Sequence, residues 1–162
     1  MESTHKLRDR TSCEGPEGIH PLRILVVDDS AISRKLAEYA FEGKPYDVSF
    51  AEDGRRALQR ISQRNPDPDI VITDWLMPDL SGTDLCRLIR QKLQRKDIYL
   101  VLLTSNSDQR DIAKGMASGA DGYLTKPLQA DKLFAEIHMA RAVIKARRSG
   151  NPHAMPIPRS TT

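Results

Sequence analysis

Arg23-Ile24-Leu25-Val26-Val27-Asp28-Asp29-Ser30 runs four aliphatic residues straight into two adjacent carboxylates. An unbroken aliphatic run rich in β-branched residues reads as a strand buried on both faces, the habit of a parallel sheet covered by helices. In open α/β sheets the ligand crevice lies beyond the carboxyl ends of the strands, which puts Asp28 and Asp29 at its mouth. Ser30 and the following AISRKLAEYAF read as a helix start, and one acid near a helix N-terminus is worth about 0.3–1 kcal/mol. A second acid beside it adds repulsion, so the pair leans toward a bound cation.

The same alternation runs through the chain. RILVV, DVSFA, DIVIT, YLVLLT and GYLTK read as strands. After each comes a segment of helical periodicity, with expected apolar faces at Ile32, Leu36 and Ala40; Ala57, Leu58 and Ile61; Leu85, Leu88 and Ile89; Ile112 and Met116; and Leu133, Ile137 and Ile144. RNPDPD, PDLSG and SGADG mark boundaries, Ser81 and Asp84 have capping-box spacing, and Gly82, Gly119 and Gly122 are read as turn glycines. Strict βα alternation with short connections predicts an α/β fold, a five-stranded parallel sheet doubly wound as (βα)5. The second strand, within YDVSFAED, is more polar than the others and suits an edge, giving strand order 2-1-3-4-5 with a switch point between the first and third strands.

The chain of 162 residues has room for one domain with a sizeable core, expected over residues 22–148, between a flexible leader (1–21) and a proline-rich disordered tail (149–162). With 39% hydrophobic and 29% charged residues, no long apolar run and no apolar core in the leader, it predicts a cytoplasmic protein without membrane insertion. Cys13 and Cys86 read as free thiols, and the four histidines lack metal-ligand spacing. The net charge of +3 comes from basic residues interleaved with acids, so no nucleic-acid contact is expected.

The third strand leads to Asp74, opposite Asp28 and Asp29 across the switch point. Three carboxylates in one small volume do not all stay ionised without a counter-charge, and their oxygens suit a hard cation, Mg²⁺ before others. The fourth strand ends on Thr104, and the fifth leads through Thr125 to Lys126-Pro127.

In order and spacing, Asp28-Asp29, the DWLMPDLSG segment from Asp74, Thr104 and the GADGYLTKP run resemble the receiver domain of two-component response regulators, chemotaxis-regulator-like, over about residues 22–147. The resemblance implies a flavodoxin-like fold with Asp74 as phosphoacceptor. Mg²⁺ would be held by Asp28, Asp29, Asp74 and the Leu76 backbone carbonyl, and Lys126 would contact the phosphoryl group. Thr104 and Tyr123 would be the switch pair, Leu76 and Asn106 would tune dephosphorylation, and Lys126-Pro127 would form a cis-proline turn. It implies a signalling module whose only chemistry is its own phosphorylation and dephosphorylation. The donor would be a sensor histidine kinase or histidine phosphotransfer protein. Output would pass to a downstream protein or a second copy through the fourth helix, fifth strand and fifth helix. A regulatory segment of a longer enzyme, such as a cyclic-dinucleotide cyclase or protein phosphatase, is the alternative. A flavin binder would need a phosphate cradle where the two acids stand. An Mg²⁺-dependent aspartyl-phosphate phosphohydrolase would need an acid/base Asp where Leu76 stands.

Overall fold

The computed structural model describes residues 20–65, 67–106 and 108–150. Its elements, in chain order, are β1 (Arg23–Val27), α1 (Ala31–Phe41), β2 (Asp47–Ala51), α2 (Gly54–Gln63), β3 (Ile70–Asp74), α3 (Gly82–Gln91), β4 (Tyr99–Thr104), α4 (Gln109–Ala117), β5 (Gly122–Thr125) and α5 (Ala130–Arg148). All strand pairs are parallel and the order is β2-β1-β3-β4-β5, as the sequence predicts. Only Ala51 of the edge strand β2 is buried, whereas β3 and β4 are buried throughout. The leader and tail expected over residues 1–21 and 149–162, Cys13 included, lie outside the described residues apart from residues 20, 21, 149 and 150.

Alternation along the strands builds two apolar layers. Ile24, Val26, Ile70, Ile72, Val101 and Leu103 face α1 and α5, while Leu25, Val27, Val71, Leu100 and Leu102 face α2 and α3. Burying each such side chain contributes about 1.5–3 kcal/mol. Side-chain caps start four helices: Ser30, Asp53, Ser81 and Asp108 accept backbone N–H bonds from Ser33, Arg56, Asp84 and Arg110. No helix among the described residues is long and apolar enough to cross a membrane.

Two expected apolar faces are wrong. Ile32 and Leu36 are 75% and 61% exposed, and α1 buries Ala37 and Phe41 instead. Both stripes have helical spacing, and packing of Phe41 decides between them: its ring meets Tyr46 and Phe134 edge-on, with centroids 6.0 and 5.9 Å away. In α4, Met116 is exposed and only Gly115 is buried.

The end of the sheet away from the strand carboxyl termini is closed by ion pairs. Buried Asp121 accepts from Arg90 Nη2 at 2.7 Å, from both terminal nitrogens of Arg147 and from the Leu100 N–H, which ties the last turn of α5 to β4 and β5. Removing one partner of a buried pair strands the others. Asp121→Ala is therefore expected to cost about 3–5 kcal/mol, read as a lower urea midpoint at unchanged slope. A loss below about 1 kcal/mol would mean that the arginines are satisfied by solvent.

Candidate functional site

The strand order places β1 beside β3, and their register pairs Val27 with Thr73. The residues that follow, Asp28 and Asp74, therefore emerge side by side at the crevice. Asp28 is 1% exposed and Asp74 8%, whereas Asp29 is open to solvent. One carboxylate oxygen from each of the three lies within 4.8 Å of the others, the one cluster of this kind among the described residues.

Lys126, just beyond β5, reaches into this cluster. Its Nζ lies 3.0 Å from Asp28 Oδ2 and 3.0 Å from Asp74 Oδ2. Its backbone N–H donates to the Thr104 carbonyl at 2.8 Å, and the Lys126–Pro127 peptide is cis. Asp28 is used from every side: Oδ1 accepts the Ser30 N–H and its carbonyl accepts from Arg34 Nη1 at 2.6 Å. Helix capping thus accounts for Asp28 and Ser30, while Asp29 makes no ion pair among the described residues. An open carboxylate beside two buried ones gives an all-oxygen donor set that fits a hard divalent cation such as Mg²⁺.

Burial raises the Asp74 carboxyl above its ordinary pKa; the Lys126 ammonium opposes that rise, and the charges of Asp28 and Asp29 add to it. Burial works against the charge on Lys126, but Asp74 and Asp28 outweigh it and hold the ammonium above its ordinary value. Burial also pushes the Cys86 thiol up, to about 12, so it is no nucleophile near neutral pH.

The remaining sequence-derived residues surround the cluster. Thr104, 5% exposed, donates to the Asn106 carbonyl at 3.1 Å and accepts the Asn106 N–H at 3.0 Å. The Asn106 side chain is committed toward α4, with Nδ2 donating to Asp111 Oδ2 and Oδ1 accepting the Asp108 N–H. Tyr123 is half-buried on β5, in register with Leu102 of β4. The Leu76 side chain, in the loop after Asp74, is 78% exposed. Gly82 answers to close approach rather than to a turn: a Cβ there would lie 2.2 Å from the Asp74 carbonyl oxygen, and its N–H donates to the Trp75 carbonyl. Asp79 takes the positive φ in that loop, at 67°. Arg34 is the contact that sequence reasoning missed, since nothing in its spacing marks a side chain that returns to a backbone carbonyl.

Residues 24–138 match the response regulator receiver domain family. The chain belongs to that family. As a receiver domain of two-component response regulators it is a signalling module. It is 34% identical over 115 residues to the phosphate regulon transcriptional regulatory protein PhoB of Klebsiella pneumoniae, covering 71% of this chain and 49% of that protein. The DNA-binding response regulator MtrA of Mycolicibacterium paratuberculosis is 35% identical over the same shares. The chain thus spans about half the length of these relatives. Among solved structures, the chemotaxis protein CheY4 of Vibrio cholerae superposes with a TM-score of 0.67 at 29% identity, covering 73% of this chain and 97% of that one. A receiver domain protein from Clostridium thermocellum gives 0.68 at 29%, covering 79% and 98%.

A carboxyl pKa raised by folding means that the metal-free fold is favoured on the acid side of the Asp74 titration and loses that advantage as pH rises through it. Asp74→Asn is accordingly expected to raise the metal-free Tm at pH 7. The gain should shrink as pH falls and the wild-type carboxyl protonates, and Mg²⁺ should narrow it at pH 7 by stabilising the wild type. Thermal melts across pH check this; a lower Tm for the Asn variant at pH 7 without metal would contradict it.

Proposed function

We propose that this receiver domain accepts a phosphoryl group on Asp74 from a histidine kinase or histidine phosphotransfer protein and passes the signal on through protein contacts. The observation that carries the reading is Lys126 Nζ, 3.0 Å from both Asp28 and Asp74 inside the cluster of three carboxylates. An Asp74 oxygen attacks the donor's phosphorus in line, the bond from phosphorus to the donor nitrogen breaks, and the imidazole leaves with a proton. Lys126 already spans Asp28 and Asp74, so its ammonium can follow charge onto the transferred oxygens. Asp28 and Asp29 would hold Mg²⁺ with Asp74 and the Leu76 carbonyl; when bound, the ion neutralises charge on the transferring phosphoryl group.

The phosphodonor surface is suggested by exposure. Of the five large hydrophobic residues exposed among the described residues, Ile32, Leu36 and Tyr39 line α1 and Leu76 follows Asp74. An apolar stripe running from the acid cluster along a helix suits a protein donor better than a small molecule. The transcriptional and DNA-binding roles in the relatives' names belong to proteins about twice the matched length, and we assign protein contacts, not nucleic-acid contacts, to this domain. Output through α4, β5 and α5 starts at Thr104, whose two bonds to Asn106 must open before its hydroxyl turns to a phosphoryl oxygen. Leucine at position 76 offers no group to orient an attacking water, so the acyl phosphate should decay slowly.

Acetyl phosphate with Mg²⁺ is expected to add one phosphoryl mass to the wild type, with none in Asp74→Asn or in EDTA. In Ile32→Glu/Leu36→Glu, uptake from acetyl phosphate should persist while transfer from a phosphorylated histidine phosphotransfer protein slows by on the order of tenfold or more. A full mass shift in Asp74→Asn would overturn the site assignment, and unchanged protein-to-protein transfer would overturn the docking surface.

A further inference from the structure

Helix α4 is anchored at one end. Its N-terminal residues Gln109 and Arg110 are exposed, and Gly115 is its only buried residue. Past its C-terminus, Ser118 is 2% exposed and donates to the Gly115 carbonyl, and the Gly119 carbonyl accepts from Arg90 Nε at 3.0 Å. The first turn is linked to the acid site through Asp111, which accepts from Asn106, and through Asn106, whose backbone is bonded on both sides by Thr104.

Gly115 rests directly on the residue after the phosphoacceptor. A Cβ built on it would lie 2.7 Å from Leu102 Cδ1 and 3.0 and 3.3 Å from Trp75 Cζ3 and Cη2. Gly115 has no positive φ that would require glycine, and glycine inside a helix costs about 1 kcal/mol relative to alanine. Contact with Leu102 and the indole is the remaining reason for the absence of a side chain. Trp75 is held by its backbone, with its N–H on the Leu103 carbonyl at 2.8 Å and its own carbonyl on the Gly82 N–H at 2.9 Å. Its ring is thus the part free to adjust, and Tyr123 packs against the same apolar layer.

We propose that the Gly115–Trp75 contact is the pivot of α4, and that Trp75 is a positioning residue setting the angle at which that helix is presented. When Thr104 leaves Asn106, the first turn of α4 is released while its C-terminal end stays tied, so the helix swings about the point where Gly115 meets the indole and Leu102. The swing rests on the reading of Asp74 as phosphoacceptor; the contact itself does not.

Gly115→Ala tests the pivot with a sign that helix propensity cannot mimic. Without a clash, alanine would slow amide exchange over residues 109–117. With the pivot, the Cβ lifts α4 from the indole: exchange should rise roughly fivefold without ligand, and Trp75 emission should shift to the red with easier acrylamide quenching. Beryllofluoride with Mg²⁺ should still bind, as bound ¹⁹F resonances, but should change α4 exchange less than in wild type. Adding Trp75→Phe removes the two indole atoms that the Cβ meets, leaving Leu102 Cδ1, and should return unliganded exchange part of the way toward wild type. Unchanged or slower exchange in Gly115→Ala, or no recovery in the double variant, would overturn the proposal. If the wild type binds no beryllofluoride, the Asp74 reading fails instead, and the unliganded comparison still decides the pivot.

Discussion

Two buried carboxylates on adjacent strands, bridged by one ammonium, are the constraint around which this domain is arranged. Asp28 and Asp74 come together because β1 lies next to β3 and their register ends at Val27 and Thr73. An ion left uncompensated there would cost several kcal/mol, so Lys126 must reach them from beyond β5. That ties the β5–α5 loop to the opposite half of the sheet. The same demand explains why Asp28 is bonded at both oxygens and at its carbonyl. The cluster is a point of tension whose charge balance any added cation or phosphoryl group must alter.

Two lines of contact lead from that point toward α4. One is polar and sits at the start of the helix: Thr104 to the Asn106 backbone, and the Asn106 amide to Asp111. The other is apolar and sits near its end, where the indole next to Asp74 meets Gly115. The polar line can open by exchanging partners at little cost, because Asn106 and Asp108 border on water. The apolar line can only slide or part. A helix tethered in these two ways has a defined direction in which to move, which a uniformly packed helix such as α3, buried at Gly82, Leu85, Cys86 and Ile89, does not.

The sheet, its order and the acid cluster were legible in the sequence because each rests on a local signal: aliphatic runs, strand-end carboxylates and turn residues. The face of α1 was not. Ile32, Leu36 and Ala40 make a helical stripe as good as Ala37 and Phe41, and only the rings of Tyr46 and Phe134, distant in sequence, select the second. The side chain of Asn106 was open for a local reason: its partners are Asp108 and Asp111, and its direction depends on where α4 begins. Gly82 reads as a turn residue until the Asp74 carbonyl is seen against it. The face of α1 turns on what a residue meets across the fold, and Asn106 and Gly82 on how a loop folds back on itself; spacing along the chain encodes neither.

Reductive trapping tests the central claim most directly. Protein treated with acetyl phosphate and Mg²⁺ is reduced with borohydride, which converts an acyl phosphate to the corresponding alcohol, and the modified position is located by peptide sequencing. The account predicts homoserine in place of Asp74 and unmodified aspartate at positions 28 and 29. Homoserine at either of those positions, or a phosphoryl group that survives borohydride on another residue type, would contradict it.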